Sequence, residues 1–352
     1  MKVLMLFAIL TAAAPALSQE QSFTIGAIDF YGYASLDVER LRAALPFREG
    51  EKVSPRPKDK LVAQVTQAIK RATGRDVADV APLCCDDRGR LLLYIGLRDE
   101  SARQITYNTA PHGSTRLSPT AIKIYRDAEE ALVNAVSKGV SGEDDSQGYA
   151  LSVDPETRAR QLALHEYASH NSTSVRRVLA SARDVEQRQI AAEILGYAGR
   201  SREQIRALIR ATHDVDSGVR NNAIRALVVL AKSSSAASAL IPGECFIDLL
   251  NSGIWTDRNK SVALLDVLTK GRDARLLACL REQALPSLVE MARWSDAGHA
   301  DTARLTLGRV AGIDEKTLTA MVARQEIEPI IKVVTTQKNN ARRDCSLCAA
   351  LK

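Results

Sequence analysis

Of the residues able to do chemistry, the histidines invite the first test. The chain holds 5 of them, and two lie close together in His165-Glu166-Tyr167-Ala168-Ser169-His170. A zinc-protease helix sets its two histidines four residues apart, about 40° around the axis and on one face. Here the separation is five residues, which turns the second side chain away by about 140°. Surface histidines are expected, with no catalytic zinc. Glu143, Asp144 and Asp145 are acidic enough for calcium, but three adjacent acids do not converge as alternating ligands do. The stretch Gly139 to Gly148 reads instead as an acidic exposed loop, placed to act as a contact site. The sequence shows no nucleophile elbow, phosphate loop or dinucleotide fingerprint. No cofactor is expected, and no catalysis.

The 6 cysteines are an even number, which permits disulfides in an oxidising compartment. Cys84 and Cys85 are neighbours, and pairing them would strain the backbone. Cys345-Ser346-Leu347-Cys348 has no following histidine for haem and no βαβ context for thioredoxin-like chemistry. A local Cys345–Cys348 disulfide is the expectation. Cys84, Cys85, Cys345 and Cys348 as a zinc set is a remote alternative. Cys245 and Cys279 either pair or are buried small hydrophobes.

These groups must be carried by elements, and most elements here are helical and repetitive. Five segments align on Arg160, Arg188, Arg220, Lys260 and Ala300. Three residues on, each has alanine: Ala163, Ala191, Ala223, Ala263 and Ala303. Seven residues on stand Tyr167, Leu195, Leu227, Val267 and Leu307. Both positions fall on one helical face, where alanine admits close helix approach and the larger side chain fills the next layer. Asp184 and Asp214 open the two clearest units and suit helix N-termini. Second amphipathic segments follow, through Ile205, Leu208 and Ile209, through Phe246, Leu249 and Leu250, and through Leu285, Leu288 and Val289. The unit is therefore a helix–turn–helix.

Ahead of the repeats, Ile28 and Phe30 mark a strand that Gly32 ends. Ser35 is placed to cap a helix with Val38, Leu41 and Leu45 inward, and a second helix carries Leu61, Val65 and Ile69 up to Gly74. A weak strand at Val77 and Val80, a turn at Asp86-Asp87-Arg88-Gly89, and a strand lined by Leu91, Leu93, Ile95 and Leu97 complete a β-α-α-β-β order. A further helix from Ser118 to Lys138 places Ile122, Tyr125, Ala128 and Leu132 inward.

The repeats resemble the HEAT family, most closely in the unit holding Asp214, Val219, Arg220, Ala223 and Leu227. The resemblance implies an α-solenoid with an extended protein-binding surface, because one helix pair cannot bury its apolar face without neighbours. The leading part resembles a POTRA domain through Ile28-Asp29-Phe30-Tyr31-Gly32, Leu41 to Gly50, and Gly89 to Leu97. That resemblance implies strand addition at a sheet edge, or a periplasmic accessory role in outer-membrane protein assembly. No barrel sequence follows, only helices. HEAT-type units also occur in bilin lyases, which leaves a pigment-attaching enzyme as an alternative. The expected fold class is mainly α: an α-solenoid of HEAT-type helix pairs preceded by a small α+β domain. The expected divisions are 1–18 as a signal peptide, 22–100 as the α+β domain, 101–155 as a linker with one helix and the acidic loop, 156–340 as the solenoid, and 341–352 as a tail.

The leader rests on Lys2, the apolar run Val3 to Ala14, and the small residues of Ala16-Leu17-Ser18. It implies export to the periplasm or outside the cell, with no stable membrane anchor. With 48 basic and 42 acidic residues the net charge is +6. In an exported chain this points to a solvated surface, or to affinity for acidic envelope polymers and lipids, more than to nucleic acid. Arginines crowd the first three repeat units. Arg188 and Arg220 match a structural position in the repeat. Arg176, Arg177, Arg202, Arg206, Arg210 and Arg225 are the candidate protein-binding residues, the competing role being ion pairs to acids of adjacent repeats. The function read from the sequence is an exported scaffold or adaptor that holds a protein partner in the cell envelope. Neither the partner nor the oligomeric state is legible.

Overall fold

Strand β1 (Phe23–Tyr31) alternates its side chains between two faces, and both faces are buried. Ile25, Ile28 and Phe30 enter one core, while Ala27 and Tyr31 enter another. That double burial organises the molecule, as the computed structural model shows for residues 22–55, 57–98 and 105–336 together with Cys345 and Cys348. The leader, residues 1–18, and the tail from 341 apart from those two cysteines lie outside the described residues.

After β1 come α1 (Val38–Ala44), the short β2 (Lys52–Val53), α2 (Lys58–Thr73), β3 (Val77–Leu83) and β4 (Leu91–Leu97). The sheet order is β2-β1-β4-β3, with β1 and β4 parallel and the outer pairs antiparallel. Asp37, not Ser35, caps α1 by accepting from the Glu39 N–H. Gly74 ends α2 in the left-handed region that favours glycine. One sheet face packs on Leu41, Leu61, Val65 and Ile69 of α1 and α2. The other face, with Tyr31, Leu92 and Tyr94, joins the main helical core.

Then follow α3 (Pro119–Ser137), the strands β5 (Glu143–Asp144) and β6 (Leu151–Ser152), α4 (Pro155–Ser181), α5 (Val185–Gly196), α6 (Arg202–Ala211), α7 (Ser217–Ser233) and α8 (Ser235–Ser238). Two single-turn 3-10 segments, Gly243–Phe246 and Asp248–Asn251, lead into α9 (Trp255–Thr269), α10 (Ala274–Ala292), α11 (Ala297–Val310), α12 (Glu315–Ala323) and α13 (Ile327–Thr336). Helices α5, α7, α9 and α11 stand side by side in one layer. The second layer is built from α4, α6, the 3-10 turns, α10 and α12. The chain is thus a mainly α protein, a solenoid of helix pairs behind a small α+β domain. The segments at Phe246, Leu249 and Leu250 are 3-10 turns rather than a full second helix. On α3 the inward face is Ala121, Ala128, Ala131 and Ala135, with Ile122 and Tyr125 only half-buried.

The expected small and large positions recur. Ala191, Ala223 and Ala303, then Leu195, Leu227 and Leu307, are fully enclosed. Two registers differ from expectation. On α4, Arg160 and Ala163 are exposed, and the buried face runs through Thr157, Gln161, Leu164 and Ala168. On α9 the repeat arginine is Arg258 rather than Lys260, so that Ser261 and Leu265 take the small and large places.

The arginines form a buried ladder. The Arg188 guanidinium forks onto Asp214 at 2.8 and 2.9 Å, and also donates to the carbonyls of Ala182 and Arg183. Arg220 forks onto Asp257, both contacts 2.8 Å, and donates to the carbonyls of Asp214 and Val215. Arg258 donates to the Ser252 carbonyl and to Glu290 at 2.8 Å. Each arginine therefore ties its own preceding loop to a carboxylate of a following unit. Asp214 serves the Arg188 contact, and the N-cap of α7 is Asp216.

The ladder ends on the sheet domain, where Glu290 also accepts the N–H groups of Gly32 at 2.7 Å and Ala34 at 3.2 Å. Close by, Asp29 accepts from Ser295, and the Trp294 indole N–H donates to the Phe30 carbonyl. Gly96 is needed here. A Cβ on it would meet the Tyr31 ring at 2.6 Å and collide with the Gly253 carbonyl.

Three disulfides are present. Cys84 and Cys85 are bonded to each other across a cis peptide. Cys345 and Cys348 do not pair locally. Cys348 bridges to Cys245 and Cys345 to Cys279, closing separations of 103 and 66 residues. Residues 245 and 279 lie on the second layer, with Cα separations of 4.9 Å to Cys348 and 5.8 Å to Cys345 that suit a bridge. These pairings also take the four cysteines of the zinc alternative. Constraint of the unfolded chain is worth about 4–5 kcal/mol for loops of such length.

Removing one ladder carboxylate leaves a buried guanidinium without its partner. Asp257→Ala is expected to cost about 3–5 kcal/mol, with Arg220→Met in the same background recovering part of the loss, both read as urea unfolding free energies. Burial pushes Asp29 up from 3.8 to about 6, against the pull of the Ser295 N–H and O–H. Between those values the folded chain holds a proton that the unfolded chain has lost, so stability falls as pH rises through about 6. Wild type should therefore lose up to about 3 kcal/mol relative to Asp29→Asn between pH 4 and pH 7. A constant gap across urea midpoints taken over that range would contradict this.

Candidate functional site

The six arginines singled out from the sequence separate into two groups. Arg225, on α7, is engaged: its guanidinium lies 2.6 Å from the Glu143 carboxylate of β5, and both side chains are largely shielded. The same acidic stretch reaches Arg158 through Asp144 at 3.2 Å and Lys232 through Asp145 at 3.7 Å. The Ser146 carbonyl accepts from Arg200. The residues expected to form an open acidic loop are thus a small hairpin docked on the first layer. Around Arg225, burial pushes the Glu193 carboxyl up and pulls the Lys260 ammonium down to about 8. Burial also opposes the charge on Arg225, but Glu143 and Glu193 outweigh it and the guanidinium is held above its ordinary value.

Arg202, Arg206 and Arg210 form the other group, on α6. Ser201 caps this helix through the Gln204 N–H, and Gln204, Ile205, Leu208 and Ile209 bury its inner face. The three arginines recur every fourth residue on the outer face and are exposed. Among the described residues none of the three has an ion-pair or side-chain hydrogen-bond partner. Glu203 is the single acid on the helix. On neighbouring α4, Arg176 is half-buried and donates to Thr173 Oγ1 at 3.1 Å, while Arg177 is exposed.

A cleft of about 430 Å³ opens where this row ends. Arg176 and Arg210 stand on it, and Leu179, Ala180 and Ala207 supply apolar wall. Arg177 stays outside. The opposite wall comes from a strap, residues 105–117, that runs along the turns of the solenoid. Asn108 donates its backbone N–H to the His213 carbonyl at 2.7 Å and its side-chain amide to the Arg210 carbonyl at 2.9 Å. Tyr107 lies over the Arg220 guanidinium, 4.4 Å from its ring centre. Gly113 bridges to Ala182, and the Leu117 N–H donates to the Gln187 side chain at 2.8 Å. Cys348, held by its bridge to Cys245, completes the cleft.

Tyr107 and Asn108 were missed from the sequence, because a strap without periodicity carries no signal until its acceptors are known. His165 is not a free surface residue: its Nδ1 donates to the Tyr197 carbonyl at 2.7 Å and its ring stacks on Tyr149 at 4.0 Å. His170 is exposed beside the Glu166 carbonyl. Chemically the site offers fixed positive charge next to an apolar recess, which suits recognition of a carboxylate-bearing chain.

No family model and no curated protein matches this chain. Among solved structures, a designed armadillo repeat protein is similar at 15% identity and a TM-score of 0.35, over 57% of this chain and 93% of that one. An engineered protein is similar at 19% identity and a TM-score of 0.37, over 61% of this chain and 90% of its own. A further designed armadillo repeat protein, in complex with the peptide (KR)4, is similar at 14% identity and a TM-score of 0.36, over 56% and 91%. Among the described residues, no helix is long and apolar enough to cross a membrane.

The two groups of arginine should answer differently to charge reversal. Arg206→Glu is expected to shift stability by less than about 0.5 kcal/mol. Arg225→Glu should free the 142–148 hairpin and make it the first site cut in limited proteolysis. Equal resistance of wild type and Arg225→Glu would show that the hairpin is held by something else.

Proposed function

We propose that this chain is an exported HEAT-type repeat scaffold that holds a protein partner by an acidic segment, binding it rather than transforming it. The observation that carries the reading is the row Arg202, Arg206 and Arg210 on the exposed face of α6, unpaired among the described residues. In the same stack Arg188, Arg220, Arg225 and Arg258 all have carboxylate partners. Where a fold meets its internal arginines with acids, a run of exposed arginines left unmet is a feature that internal stability does not require. A solenoid supplies length for such contacts without precise catalytic geometry. Export is supported by the apolar leader pattern and by three disulfides, which persist in oxidising compartments such as the periplasm or cell exterior. The HEAT assignment rests on the Asp, Arg, Ala and Leu spacing of the middle units.

The test is capture from cell-envelope extract at low salt, with wild type and a triple Arg202→Glu, Arg206→Glu, Arg210→Glu variant of unchanged melting temperature. Wild type should retain a partner that the triple variant releases, and the complex should weaken as salt rises. Identical capture by both proteins would remove the arginine row from the function.

A further inference from the structure

The spacing of the α6 row specifies more than positive charge. Arg202, Arg206 and Arg210 are successive fourth residues of one helix. At about 1.5 Å per residue, their bases stand about 6 Å apart along the axis. In an extended chain alternate residues on one side are about 6.6 Å apart. Three arginines in this arrangement therefore face three alternate side chains of a strand-like segment, with a mismatch that flexible arginine stems absorb.

The geometry points to one occupant: an extended protein segment with acidic residues at every second position, followed by one large apolar side chain that enters the cleft. This deepens the scaffold reading above and rests on it. The cleft lies at the Arg210 end of the row, with Leu179, Ala180 and Ala207 as apolar wall and Arg176 beside it. Its volume of about 430 Å³ exceeds what one leucine or phenylalanine side chain needs. The chain also contains an internal precedent. In its own extended acidic run, Glu143 and Asp145 both turn to basic residues of α7, Arg225 and Lys232, while the intervening Asp144 turns to Arg158 on α4. Alternate carboxylates met by one helix are likewise proposed for α6, there at a four-residue step in place of the seven residues between Arg225 and Lys232.

The experiment titrates the full-length oxidised protein, at low salt, with fluorescently labelled peptides. The first is Glu-Ser-Glu-Ser-Glu-Ser-Phe. The second has the same composition with its acids contiguous, and the third replaces the phenylalanine by serine. A tetrathymidylate supplies a polyanion of comparable charge. The alternating peptide should bind most tightly, and Arg206→Glu should weaken it about fivefold or more. Ala180→Trp, which fills the recess from an exposed position, should abolish the advantage of phenylalanine over serine. Equal binding of alternating and contiguous peptides would overturn the register while leaving a charge-driven scaffold intact. Tighter binding of the oligonucleotide would replace a protein segment by a phosphate backbone as the ligand. If none of the anions binds, both this inference and the acidic-partner reading fall.

Discussion

Everything in this fold depends on guanidinium groups buried between consecutive helix pairs. Arg188, Arg220 and Arg258 are each about 1–2% exposed, so each must find its hydrogen bonds inside the protein. They find them on the carbonyls of their own loop and on a carboxylate from the next unit. A buried ion pair is weak as a source of net stability but severe as a constraint, since any other register leaves a charge unmet. The apolar layers supply the driving force, while the arginine contacts decide which turn sits on which. The last rung extends this logic beyond the solenoid, because Glu290 answers Arg258 and the exit of β1 together. The α+β domain is thus a continuation of the stack. Its Tyr94 packs against Trp255 of α9 and, with Tyr31, against Trp294 in the loop between α10 and α11.

Much of this was legible because packing periodicity is written locally. Alanine followed by leucine four residues later marks a close-approach face in any helix, and Arg188 and Arg220 were assigned to the fold on position alone. The slip at α9 has a physical source. Arg258 and Lys260 are both basic, and Ala263 imitates the small residue that Ser261 supplies. Both basic residues are buried, and what distinguishes them is the partner: Arg258 reaches the Ser252 carbonyl and Glu290, the contacts of the ladder. The two-sided burial of the sheet was written more faintly. Leu91 to Leu97 is an unbroken apolar run, the mark of a strand covered on both faces, and reading one alternate set from it hides the other. Disulfide connectivity, the strap and the docking of Glu143 all depend on contacts between segments far apart in sequence. No local pattern encodes them.

The candidate site was half legible for the same reason. Composition located a crowd of arginines but not their partners, and the useful distinction is between arginines the fold employs and those it does not. Arg225 looks like its neighbours in sequence, yet it lies beneath a hairpin whose acids come from before α4. Arg202, Arg206 and Arg210 look like an ordinary solvated helix face, which is what they would be if acids from adjacent units met them. Their lack of partners among the described residues is a three-dimensional fact.

Among the described residues, the wrapping of the solenoid leaves this face open. The strap and the sheet domain cover the turns that precede α5, α7, α9 and α11, where the arginine ladder lies. Helix α3 and the β5–β6 hairpin cover the first layer at α5 and α7. Both covers are fastened by groups that would otherwise be exposed cations or open backbone: Arg225, Lys232 and the loop carbonyls. A surface already met by the chain's own acids and amides has nothing to offer a partner without first giving up those bonds. Among the described residues the α4–α6 face carries no such cover over the Arg202, Arg206 and Arg210 side chains, so a partner there would gain ion pairs without breaking any. In the proposed function it is that asymmetry of cost, more than the number of positive charges, that favours α6.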